Sequence, residues 1–367
     1  MNKLGVSIYP DKSSPEANKS YLSLASKYGF RRVFINFLTV EGKDSLGRFK
    51  DIVRYAGALG MEVIADVSPS VFRDLKADYR DLTIFHEIGL AGIRLDIGFS
   101  GIEESIMSFN TYGIKVELNI SSGTRYLDNV MSFLPNKDNI IACHNFYPHR
   151  YTGISREHFV KTTEGFKKYG IRTAAFVSSD HASFGPWDVN EGLPTLEEHR
   201  GLPIEVQAKD LLNTGLIDDI IISNCYASED ELSALGEINK DVLELDVETY
   251  VDLPKVERYI LFEELHINRG DVSEYMIRST QSRVKYKNYE FKLMNPIDMG
   301  KGHIVIESSL YAHYAGELHL VLKPMKNSGR SSVVGKIVDE EIFLLEHIKP
   351  WQKFRLNISP CRRGCHV

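Results

Sequence analysis

The sequence predicts a (β/α)8 barrel followed by a small β domain, and three observations lead there. Eight short apolar runs, at residues 4–8, 32–37, 62–67, 92–98, 115–120, 139–143, 172–177 and 218–222, have the form of strands buried on both faces. Each run gives way to polar residues at its carboxyl end. Helical patterns separate the runs at about 25–30 residues, as repeated strand–loop–helix–loop units require. In such a barrel the reaction site is the ring of carboxyl-terminal strand ends.

The stretch Gly92-Ile93-Arg94-Leu95-Asp96-Ile97-Gly98 displays the pattern most plainly, an apolar run bounded by glycines with an acid near its end. Run one ends at Ser7 and Tyr9. Ser14-Pro15-Glu16 then starts a helix, with a serine cap, proline at the first position and an early acid. Run two ends at Asn36, and a helix over about 45–59 follows. Run three closes with Asp66-Val67-Ser68-Pro69, and shorter helical stretches surround Phe72 and Ile84. Run five ends at Asn119, run six as His144-Asn145-Phe146-Tyr147-Pro148, run seven as Ser178-Ser179-Asp180-His181, and run eight at Ser223-Asn224. Residues 181–203 have little periodicity; a loop that long in a compact barrel is often functional. It holds Glu191, and Trp187 offers a face on which a sugar ring can stack. Helices at about 204–213 and 229–238 flank the last strand.

The 367 residues exceed the roughly 250 of one barrel. We expect the barrel over residues 1–245, a β domain over 250–360 and a tail over 361–367. Alternating runs at 286–293, 303–307, 317–322 and 353–358 mark strands of the β domain. The cluster Met276-Ile277-Arg278-Ser279-Thr280 stands out within it. The net charge of −6 argues against nonspecific nucleic-acid binding. Residues 251–367 hold 18 Lys and Arg against 14 Asp and Glu, while residues 1–250 hold 26 against 36. An anion bound between an acidic barrel and a basic β domain is therefore expected. Cys143 and Cys225 lie in strand contexts as buried thiols, and Cys361 and Cys365 in the tail, so no disulfide framework is expected. No apolar run approaches the ~20 residues of a membrane span. The first strand begins too early to leave room for a signal peptide, which points to the cytoplasm.

The strand ends carry no lysine, against a Schiff-base enzyme. His144, His181 and His199 are dispersed, so no metal site is expected, and no phosphate or dinucleotide glycine motif is present; no cofactor is expected. Carboxylates remain: Asp66, Asp96 and Asp180, with Glu191 in the loop and Glu117 one layer below Asn119. Two carboxyl groups in different environments can divide acid and base roles, as glycosidic cleavage requires. Tyr9, Asn119, Asn145 and Tyr147 are candidate substrate contacts. His144 points opposite to Asn145 by strand alternation. Arg278 is either an ion-pair partner or an anion clamp.

Several stretches together resemble the bacterial 6-phospho-N-acetylmuramidase family: Gly5-Val6-Ser7-Ile8-Tyr9-Pro10, Ala65-Asp66-Val67-Ser68-Pro69, Arg94-Leu95-Asp96, His144-Asn145-Phe146-Tyr147-Pro148, Glu191-Gly192-Leu193-Pro194-Thr195-Leu196-Glu197 and Ile277-Arg278-Ser279-Thr280. The resemblance implies a TIM barrel followed by a cyclophilin-like β-barrel. It implies a cytoplasmic glycosidase of peptidoglycan recycling that cuts a phosphorylated amino-sugar disaccharide between 6-phospho-N-acetylmuramic acid and N-acetylglucosamine. The family pattern assigns no catalytic residues here. On chemistry, Asp96 is the expected proton donor. Asp180 or Asp66 is the expected second carboxylate, serving as nucleophile, as base or to orient the substrate's acetamide. Arg278 is the first choice for the anionic groups. A cofactor-free sugar-phosphate isomerase, a metal-dependent hydrolase and a non-catalytic sugar-phosphate binding protein stay open, as does a homodimer.

Overall fold

A computed structural model describes residues 3–37, 43–67, 69–75 and 77–359. The expectations for Ser68 and for Cys361, Cys365 and the tail lie outside the described residues. The chain divides into two compact units, Met1–Ile238 and Asn239–Val367.

The first unit is a closed barrel of eight parallel strands in sequence order. They are β1 (Lys3–Ile8), β2 (Arg32–Asn36), β3 (Glu62–Val67), β4 (Gly92–Leu95), β5 (Lys115–Asn119), β6 (Ile140–Cys143), β7 (Arg172–Val177) and β8 (Asp219–Ile222). Pairing of β1 with β8, with Val6 opposite Ile222, closes the ring. The strand residues are almost all buried because helices cover the outer face while side chains fill the inside. Outward-facing Val33, Ile35, Val63, Ala65, Ile93 and Leu95 join the helices in one large apolar cluster. Inward-facing Phe34, Cys143, Ala174, Phe176 and Ile221 fill the barrel with Tyr9 and Cys225. The first helix, Pro15–Lys27, is capped as its sequence requires, the Ser14 side chain accepting the Ala17 N–H at 3.2 Å. A capping box of Ser228 and Glu231 starts the last helix, Glu229–Glu237.

The second unit is a nearly closed mixed sheet of seven strands. These are β9 (Leu243–Thr249), β10 (His266–Ile267), β11 (Met276–Ser279), β12 (His303–Glu307), β13 (Leu318–Val321), β14 (Ser331–Ile337) and β15 (Lys353–Ile358), in the order β10-β15-β9-β14-β12-β13-β11. Only the β15–β9 pairing is parallel among those described. Two helices, Lys255–Phe262 and Gln281–Lys285, and two 3-10 segments, Ser309–Tyr314 and Asp339–His347, interrupt the described strands. The alternating run at 286–293 is not a strand. Of its residues only Phe291 reaches the core, so the alternation has no buried face to fill.

Candidate active site

Strand register assembles the charged part of the barrel mouth. Asp66 on β3 pairs in register with Arg94 on β4, and Arg94 with Glu117 on β5. Register partners in a parallel sheet point to the same side, so three ionisable side chains lie on one level inside the barrel. Arg94 is the hub. Its Nη1 donates to Asp66 Oδ1 at 3.1 Å and to Asp96 Oδ1 at 3.2 Å, its Nη2 to Asn145 Oδ1, and its Nε lies 3.9 Å from Glu117 Oε1. Below this level Glu117 also pairs with Arg32, Arg32 with Asp219 at 3.0 Å, and Asp219 with Arg172. A ladder of alternating charge thus runs down the barrel. Each buried charge in it has an opposite neighbour, which burial demands.

Asp66 and Asp96 share a nitrogen but not an environment. Asp66 is buried, and burial pushes its carboxyl up to about 6, against the pull of Arg94 and with help from the negative charge of Asp96. The Asp96 side chain is 44% exposed and also accepts from Asn119 Nδ2 at 3.2 Å. Asn119 therefore braces an acid in this geometry. Asn145 belongs to the same cluster through Arg94. Tyr147 lies beside it; burial raises its phenol, while Ser121 and the charge of Arg94 lower it.

The other expected residues divide differently. Tyr9 is fully buried and donates its hydroxyl to the Ser223 carbonyl at 2.5 Å, holding the ends of β1 and β8 together. Asn36 is buried in register with Asp66. His144 faces outward, opposite to Asn145. Its ring nitrogens lie 3.0 Å from Ser121 Oγ and 2.8 Å from Thr163 Oγ1, and burial pushes its pKa down to about 3. His199 is buried against Asp210 at 2.7 Å. Asp180 and Glu191 line a cavity of about 620 Å³ beyond the ends of β6, β7 and β8. Glu191 is bound there to Arg150, through the Arg150 N–H at 3.0 Å and its Nε at 3.1 Å. Arg200 pins the long loop by donating to Glu197, to the carbonyls of Glu191 and Gly192, and to that of Tyr147. Trp187, half exposed, leans on Phe146 with ring centroids 5.8 Å apart.

Arg278 lies on β11 of the second unit, where Glu317 takes its Nε at 2.9 Å and its Nη2 at 2.7 Å. Arg283 pairs with the other oxygen of Glu317 at 2.9 Å, and both guanidiniums lie over the Tyr314 ring.

Arg94 is only weakly marked in the sequence. The available signal was an arginine two residues before an acid within a buried strand, since a buried arginine needs carboxylate partners. Arg150, Tyr151 and Arg200 were also missed. They lie in loops without a periodic pattern.

Family models for the N-terminal and C-terminal domains of 6-phospho-N-acetylmuramidase match residues 4–237 and 243–357. The chain belongs to the 6-phospho-N-acetylmuramidase family. That family name denotes a glycosidase. Among solved structures, an uncharacterized B. cereus protein is 46% identical over 97% of this chain and 99% of its own, with a TM-score of 0.90. A conserved Enterococcus faecalis protein of unknown function is 22% identical, covers 98% of this chain and 97% of its own, and has a TM-score of 0.72, a likeness of fold. No curated protein matches the chain. Among the described residues, no group of three or more His, Cys, Asp or Glu side chains is placed to hold a metal ion. No described helix is long and apolar enough to cross a membrane.

Proposed function

We propose that this 6-phospho-N-acetylmuramidase family member hydrolyses the bond between 6-phospho-N-acetylmuramic acid and N-acetylglucosamine in a peptidoglycan-derived disaccharide, as a cytoplasmic recycling enzyme. The observation that supports the reading best is the Asp66–Arg94–Asp96 group. It holds two carboxyl groups in contrasting surroundings at the barrel mouth, where glycosidic cleavage needs an acid and an ionised partner.

Asp66, with its raised pKa, is the proton donor to the leaving oxygen, in place of Asp96. Asp96, the more exposed and bonded to both Arg94 and Asn119, faces the anomeric centre or orients the substrate's acetamide. Their Oδ1 atoms bond one nitrogen, so their separation is bounded by two hydrogen-bond lengths. Two carboxyl groups this near each other suit the retaining course, which places them about 5–5.5 Å apart. Asp180, beside the loop cavity and away from the Arg94 hub, is assigned to substrate contact instead of catalysis. Asn145, Tyr147 and Glu191 shape the walls. Tyr9 acts by fixing strand ends. Arg278, held by Glu317 within the second unit, keeps the ion-pair reading.

Incubation of the purified chain with the phosphorylated disaccharide should release free N-acetylglucosamine, followed by chromatography. Intact disaccharide in the presence of measurable binding would instead favour a sugar-phosphate binding protein.

A further inference from the structure

The cavity beyond β6, β7 and β8 has walls that suit an uncharged ligand. Three carboxylates, Asp180, Glu191 and Glu197, line it against two guanidiniums, Arg150 and Arg200. Glu197 binds Arg200 through both its oxygens, at 2.7 Å each, and the hydrogen bonds from Arg200 and from the Tyr151 and Gly153 N–H groups pull its carboxyl down to about 2. A phosphate dianion entering here meets an excess of negative charge.

A hydroxylated ring meets complementary groups. Asn190 Oδ1 is buried at this cavity with no hydrogen-bond partner. A buried acceptor in that state calls for a donor, which a sugar hydroxyl or an acetamide N–H supplies. Tyr151 lines the same cavity and is 88% exposed. Its backbone has φ 65°, a left-handed conformation uncommon for a bulky residue. Glu197 holds it there by accepting the Tyr151 N–H at 2.8 Å. Strain of this kind concentrates at ligand sites; here it accompanies an aromatic ring exposed to solvent. The volume of about 620 Å³ lies in the range of small-molecule sites. One loop joins both places: Asn145 and Tyr147 adjoin the Arg94 cluster, and Arg150 and Tyr151 line the cavity.

We propose that this cavity is a subsite for an uncharged N-acetylhexosamine ring stacked on Tyr151, with the phosphorylated sugar bound outside it. The naming of that ring rests on the glycosidase reading above. The test uses the full chain with N-acetylglucosamine and inorganic phosphate as probes. Calorimetry should detect N-acetylglucosamine binding to the wild type. Tyr151→Ala should weaken it by about three- to tenfold, the scale of one aromatic contact, and Tyr151→Phe should restore it. Asn190→Ala should also weaken it. Inorganic phosphate should not compete. With the disaccharide, Tyr151→Ala should raise KM by a similar factor and leave kcat within about twofold. Absence of N-acetylglucosamine binding, unchanged binding in Tyr151→Ala, or displacement by phosphate overturns the subsite. Because the binding arm needs no turnover, loss of the glycosidase reading alone leaves that arm standing. Turnover with an unmoved Tyr151→Ala binding curve removes the subsite alone.

Discussion

Asp66→Asn is the substitution on which the catalytic proposal turns. The wild-type carboxyl moves from its ordinary 3.8 to about 6 on folding, chiefly because the site is dry. Each pKa unit is worth about 1.36 kcal/mol, so ionised Asp66 costs the fold on the order of 3 kcal/mol relative to the unfolded chain. The sign follows from proton binding. Between about pH 4 and 6 the folded state holds a proton that the unfolded state has released, so wild-type stability falls as pH rises through that window. The Asn variant lacks this titration. The stability difference between wild type and Asp66→Asn should therefore shift against the wild type by about 3 kcal/mol from pH 4 to above pH 6. Urea unfolding followed by Trp187 fluorescence in a Trp351→Phe background reads the barrel unit. Activity should show the same group. Loss of a general acid lowers kcat by about 10²–10⁴-fold, and the alkaline limb of the wild-type pH profile, set by the donor's deprotonation, should vanish from the residual activity. A variant retaining about a tenth or more of wild-type kcat, or a stability difference flat across that pH window, refutes the assignment.

Asp96→Asn should keep the fold, since the residue is exposed at the mouth, and should lose most turnover; proton NMR of the wild-type reaction should find the first product with retained anomeric configuration. Arg94→Met removes a buried cation facing three carboxylates and should destabilise the barrel by about 3–5 kcal/mol at neutral pH, measured by urea unfolding, with a smaller loss at low pH where Asp66 is protonated.

The strands were legible because a barrel strand buried on both faces is mainly apolar, and eight short stretches of the first 240 residues have that form. The ends of the strands were legible for the same reason, as the points where polar residues return. Burial at those ends was not. Asp66, Asp96 and Asp180 look alike in sequence, each an acid closing an apolar run, yet they lie respectively in a dry level, at an exposed mouth and beside a separate cavity. The difference arises from register, which fixes that Asp66 meets Arg94 and that Arg94 meets Glu117. Register belongs to pairs of strands, and no single stretch carries it. The second unit was harder to read because some of its strands, such as β9 and β15, alternate between buried and more exposed positions, and the run at 286–293 alternates without a sheet to join.

Arg94 explains how an acid in contact with an arginine can still have a raised pKa. A lone guanidinium at 3.1 Å would ordinarily favour the carboxylate form of Asp66. Here the same cation is divided among Asp66, Asp96 and Glu117, and Asp96 and Glu117 each add negative charge that pushes Asp66 back toward the protonated form. Burial then decides the balance, because it penalises ionised Asp66 more than it does the half-exposed Asp96. The ladder beneath serves the same end. Glu117 pairs with Arg32, and Arg32 in turn with Asp219, which keeps Glu117 in place beside Arg94, so Arg94 cannot turn wholly to Asp66. On this argument Glu117→Gln should free Arg94 toward Asp66 and lower the Asp66 pKa, drawing the alkaline limb of the activity profile to lower pH; a limb that stays in place would mean that the ladder supports the fold alone.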